Sequence, residues 1–145
     1  MTLGEITYNR VDLAKEQLEV ALDLFLHRHS FVASLTLAGA AEEILGKALS
    51  LYGKRTILEH WHINRAFVDD AGNEQMPLSA YAFQINQARN SVKHMRSLED
   101  TTVTLDTQEA AMWMLYRACA NFEWLGFQRT KRMRSFDRWF ITYVA

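Results

Sequence analysis

One stretch of the chain sets a proton-moving side chain beside permanent cations and an amide: Arg89-Asn90-Ser91-Val92-Lys93-His94. Free histidine titrates at ~6.5, so His94 can serve as acid or base near neutral pH. Arg89 can hold an oxyanion through two parallel hydrogen bonds, Asn90 can orient either neighbour, and Lys93 adds a second cation. Three other groups compete with it. Glu59-His60-Trp61-His62 places carboxylate and imidazole at i and i+3, one half of a carboxylate-bridged two-metal site. A second Glu-x-x-His does not occur, and Glu42 and Glu43 would leave such a site short of ligands, so no metal and no cofactor is expected. Glu42-Glu43 interrupts an apolar helix, where an ionised carboxylate is costly to bury unpaired. Lys47 one turn on from Glu43, an Arg or Tyr of a neighbouring helix, and Arg89 facing Glu42 are the candidate partners. The fourth group is the basic tail: Arg129, Lys131, Arg132 and Arg134, followed by Phe136, Arg138, Trp139 and Phe140. It suits either RNA docking, with cations on phosphate and rings on bases, or a helix folded back to cover the core.

Helices must position these groups. Tyr81, Ile85, Ala88, Val92 and Met95 recur at steps of four and three, which predicts a motif helix with that stripe on the core. Asn86, Arg89, Asn90, Lys93, His94 and Ser97 then fall on the outward side, with apolar Phe83 beside them. A groove closed to water needs a second wall there, and a second copy across a two-fold axis is the simplest one. Upstream, Val11, Ala14, Leu18, Ala21, Leu22 and Phe25 predict a first helix over about residues 7–29. Ser30 is a fitting N-cap for a second, apolar nearly all round, that ends near Tyr52 with Gly53 after it. Its small residues, Gly39 among them, let a neighbour approach closely. A short helix is expected over about residues 56–67, then a turn at Asp69-Asp70-Ala71-Gly72-Asn73, and Pro77 and Ser79 leading into the motif helix with Ser79 as its cap. Thr101 to Thr104 reads as loop. Asp106-Thr107-Gln108-Glu109 has capping-box spacing and opens a last long helix through Ala111, Met112, Leu115, Ala118, Cys119, Phe122 and Leu125. The expected fold is all-α: an up-and-down four-helix bundle with an extra short helix in the connection from helix 2 to helix 3, and a C-terminal extension.

The chain's 145 residues, 49% of them hydrophobic, suit one domain, with its core at about 7–128 and the extension at 129–145. A net charge of -1 excludes binding to nucleic acid by bulk charge, so any such contact rests on a local patch. The lone Cys119, set in an apolar run, reads as a buried free thiol and fits a reducing compartment. No secretory signal opens the sequence and no apolar stretch is long enough to span a bilayer, so a cytoplasmic protein without membrane contact is expected.

Arg89 and His94 in an Arg-x4-His arrangement, late in a small all-helical chain and preceded by the Ala-rich helix 33–47 with its embedded acid, resemble the HEPN superfamily over about residues 7–128. That resemblance implies metal-independent RNA cleavage: His94 takes the proton of the 2′-hydroxyl, Arg89 meets the phosphate, Asn90 orients either group, and Glu42 and Lys93 support them. Fragments would end in 2′,3′-cyclic phosphate and 5′-hydroxyl. It further implies a homodimer with the groove at its interface, a toxin or host-defence role, and an antitoxin or nucleotidyltransferase partner protein. The family also holds non-catalytic members, so the alternative is a dimer that binds a nucleotide or a protein partner through the same residues.

Overall fold

In the computed structural model, which describes residues 3–64 and 76–145, Asn9 starts the first helix, its side chain accepting from the Val11 N–H at 2.8 Å. The helix, α1 (Arg10–Asp23), begins three residues later than its apolar period suggests and passes into a π-helical turn, Leu24–Arg28. His29, at φ 55, closes that turn. A π turn carries one residue more than an α turn, and here it swings Phe25 into the core while the chain reverses into α2 (Phe31–Leu51). The buried Ser34 hydroxyl of α2 donates to the Ala21 carbonyl at 2.8 Å and ties the two helices at this corner. Ser30 occupies the cap position of α2 without a side-chain capping bond, and Gly53, at φ 72, follows its end.

The helix α3 (Ile57–Asn64) is short, as expected; its predicted end at 67 and the turn at 69–73 lie outside the described residues. Its start is fixed by the buried Asn121, whose Oδ1 accepts from the Ile57 N–H at 3.0 Å. The motif region departs from a single long helix. It forms α4 (Leu78–Ile85), breaks at Asn86, resumes as the single turn α5 (Gln87–Ser91) and ends there. Pro77, not Ser79, holds the cap position of α4. Beyond Ser91 the chain runs without regular structure to Asp106, so Met95, predicted for the core stripe, is 65% exposed.

Asp106 caps α6 (Thr107–Trp124), accepting from the Glu109 N–H at 2.9 Å as the capping-box spacing implies. Every residue of the predicted α6 stripe is buried except Leu125, which is half-buried just past the helix end. Cys119 is sealed in, and burial pushes its thiol up to about 12. Thr130 then caps α7 (Lys131–Tyr143).

The architecture is an all-α bundle, and among the described residues no strand occurs. Helix α2 lies at its centre against α6 on one side and α1 on the other. The tail folds back: Met133 and Phe136 of α7 are fully buried, and Phe25 makes edge contacts with Phe136 and Trp139 at centroid distances of 5.7 and 4.8 Å. A residue sequence in which Met133, Phe136 and Phe140 recur at three and four therefore makes α7 part of the core rather than an appendage to it. No helix among the described residues is long and apolar enough to cross a membrane.

Candidate functional site

The six motif residues divide between two clefts. Arg89 turns inward from α5 with its side chain 14% exposed, whereas Asn90, Lys93 and His94 border a separate opening. The inward turn has a cause in α2. Gly39 has no Cβ, and an added one would stand 2.6 Å from Arg89 Cδ, so the arginine stem lies directly on the α2 backbone. There its Nη1 is 3.9 Å from Glu42 and 3.7 Å from Glu43. The expected approach of Glu42 to Arg89 thus exists, and the Glu43 partner is Arg89 rather than Lys47.

Glu42 has a closer partner, an Arg of a neighbouring helix as one of the expected alternatives had it, though the spacing did not single out which. Arg117 of α6, 2% exposed, donates from Nη2 to Glu42 Oε1 at 2.9 Å and from Nη1 to Asn86 Oδ1 at 2.9 Å. Burial lowers the Arg117 pKa, the Glu42 carboxylate opposes that shift, and the nearby Arg89 adds to it. The same bond explains the broken motif helix: Asn86 turns its amide to Arg117 where a continuous helix would face it elsewhere. The available signal was the pair itself. A Glu on an apolar helix and an Arg inside the apolar stripe of another each need a buried counter-charge, and each supplies the other's.

Two cavities result. One, of about 710 Å³, lies among α3, α4, α5, α6 and α7 and is lined by Trp61, Tyr81, Arg89, Trp113, Tyr116 and Arg117, among others. The other, of about 540 Å³, opens beside α5 and the loop after it, where Asn90, Lys93, His94, Arg96 and Thr101 gather. Arg96, not singled out by its spacing, enters because the loop folds back on itself: its N–H donates to Asp100 Oδ2 at 3.1 Å. Phe83, exposed, borders the same opening, and Met95 lies at its edge.

The remaining candidates are committed within the fold. His60 packs its edge on Trp124 at 5.5 Å, and His62 Nε2 donates to the Met76 carbonyl at 2.7 Å. Thr56 caps α3, its Oγ1 accepting from the Glu59 N–H at 3.1 Å and donating to Glu59 Oε1 at 3.3 Å. Among the described residues no three His, Cys, Asp or Glu side chains converge as a ligand set. In the tail, Arg129 pairs with Glu123 at 2.7 Å and Asp137 at 3.4 Å, Arg132 lies 3.5 Å from Glu19, and Arg134 donates to the Arg129 carbonyl, while Lys131 stays exposed. Three of the five tail cations thus brace α7 against its surroundings. Comparisons with protein-family models, with curated proteins and with solved structures return no match for this chain.

Proposed function

We propose that the chain is a HEPN-like, metal-independent endoribonuclease of toxin or host-defence type, acting as a homodimer with the His94 opening as its RNA groove. The observation that supports this best is the gathering of His94, Asn90, Lys93 and Arg96 around one exposed opening, with the apolar Phe83 and Met95 beside it as a seat for a second copy. RNA carries its own nucleophile, so the site needs a base, a cation and an acid. His94 removes the 2′-hydroxyl proton and the 2′-oxygen bonds to phosphorus. Lys93 and Arg96 neutralise the charge gathering on the phosphoryl oxygens, and the P–O5′ bond breaks as O5′ takes a proton from the protonated His94 of the second copy. The products are a 2′,3′-cyclic phosphate and a 5′-hydroxyl. Arg89, held by Glu42 and Glu43, then acts as a positioning residue that anchors α5 on α2 and so places Asn90. An antitoxin or nucleotidyltransferase partner belongs to this reading, and so does a cytoplasmic location.

The same ion pairs favour the second reading, a non-catalytic dimer that binds a nucleotide or protein partner, because they keep Arg89 away from the His94 opening. One experiment separates the two. Purified protein is incubated with mixed RNA in excess chelator, and fragment ends are mapped while light scattering reports the mass. Cleavage to cyclic-phosphate ends by a particle of twice 16.8 kDa, lost in a fully folded His94→Ala variant, supports the enzyme. Intact RNA, or cleavage that survives His94→Ala, refutes it.

A further inference from the structure

The 710 Å³ cleft takes no part in that chemistry, yet it is built like a ligand site. Its size lies within the ~300–1,000 Å³ typical of small-molecule pockets. One wall is aromatic and held rigid by its own contacts: Trp61 stacks on Tyr116 at 5.9 Å, Trp113 meets Trp61 edge-on at 5.9 Å, and Phe140 lies 5.2 Å from Tyr116. Flat rings of this kind take a planar apolar body. Part of the lining is polar and incomplete. Tyr81, Arg89 and Arg117 all line the cleft, and Tyr81 Oη, Arg89 Nε and Arg117 Nε are each buried without a hydrogen-bond partner among the described residues. The three lie close enough that Arg89 and Tyr81 both act on the charge of Arg117. Buried donors left open in this way are uncommon in folded proteins, and three at one cleft call for an acceptor from outside the chain.

Charge sets what that acceptor carries. Two guanidinium groups face one buried carboxylate, Glu42, since Glu43 is 70% exposed and screened by water. About one positive charge is left over, which a monoanion balances and a phosphate dianion overshoots. Asp106 and Glu109, both exposed in the lining, are screened by water as Glu43 is, and their residual repulsion weighs most against a polyanion such as RNA.

We propose that this cleft binds a small planar aromatic monocarboxylate, its ring on Trp113 and Tyr116 and its carboxylate accepting from Tyr81 Oη and the Nε–H groups of Arg89 and Arg117. The site shares Arg89 with the motif but does not depend on RNA cleavage.

Isothermal titration of the full chain tests it with benzoate, 2-naphthoate and indole-3-acetate, against acetate (head without ring), indole (ring without head) and adenosine monophosphate (ring with a dianionic head). At least one aromatic acid should saturate one site per chain, about tenfold or more tighter than acetate or indole. Tyr81→Phe deletes a hydroxyl that has no partner among the described residues, so the fold should hold. It should weaken the acid about three- to tenfold and leave indole unchanged, and Trp113→Ala should weaken both. The proposal is overturned if no acid saturates below millimolar concentration, if Tyr81→Phe leaves the acid affinity intact, or if adenosine monophosphate binds tighter than every carboxylate. His94→Ala should not alter the titration, so failure here and failure of the ribonuclease reading are told apart.

Discussion

Replacing Glu42 by glutamine keeps the shape of the side chain and removes one charge from the interior. Arg117 and Arg89 would then face each other across a site with no buried carboxylate, because Glu43 stands in solvent. Breaking a buried pair by removing one partner typically costs about 3–5 kcal/mol, a large part of the ~5–15 kcal/mol that holds a domain of this size together. At roughly 3–4 °C per kcal/mol, the melting temperature should fall by about 10–20 °C. The double replacement Glu42→Leu with Arg117→Met removes both charges of the pair; it leaves Asn86 Oδ1 without its donor, a residual cost of about 1–3 kcal/mol, and Arg89 with only the exposed Glu43. It should therefore be more stable than Glu42→Gln alone. Urea denaturation followed by circular dichroism at 222 nm measures both, together with the single variants Glu42→Leu and Arg117→Met. If Glu42→Gln costs less than about 1 kcal/mol, or the double costs as much as its parts added together, the pair is not the buried tie described above.

Other substitutions probe the remaining claims. Arg89→Ala should cost about 1–3 kcal/mol, since it removes packing on Gly39 as well as two ion pairs, while exposed His94→Ala should cost no more than ~0.5 kcal/mol; equal effects in thermal melts would refute the inward placement of Arg89. Phe136→Ala should cost about 3–5 kcal/mol, and truncation after Gln128, which also removes Met133, should abolish the cooperative transition; a truncated chain that melts normally would place α7 outside the core. Asp137 has its pKa raised, burial outweighing Arg129, with Glu123 adding and Arg138 opposing. The folded state thus holds that proton more tightly than the unfolded one, and the contribution is lost as pH rises through the carboxylate range. Asp137→Asn should be at least as stable as the parent at pH 7 and lose ground to it in acid; a variant less stable at pH 7 would mean that the Arg129 pair outweighs burial.

The helices that carry the core were readable because each repeats apolar residues at three and four and meets a partner that uses the whole stripe. The capping box at Asp106 and the left-handed Gly53 are local chemistry and were readable for the same reason. The motif region was not. Its break at Asn86 comes from a bond to Arg117, 31 residues away, and no local period reports such a bond. Val92 and Met95 continue a helical pattern after the helix has ended, because an apolar spacing persists in sequence whether or not a surface is there to receive it. Glu42 was legible as a group in need of a partner, but Arg89 was the nearer guess while the interior bond went to Arg117. The tail's aromatics allowed two placements, and the burial of Phe136 decides between them.

The single turn α5 is a wall shared by two rooms. Arg89 reaches from it into the aromatic cleft and Asn90 borders the His94 opening, so the two cavities stand on consecutive residues of one five-residue element. Its preceding residue, Asn86, is fastened to the buried Arg117, which lines the first cleft. An occupant that draws Arg89 away from Glu42 necessarily changes the free energy of the turn that carries Asn90. By linkage, whatever engages Asn90 must alter the affinity of that occupant by the same factor. In a dimer closed over the His94 opening, the strength of association would then depend on what fills the aromatic cleft.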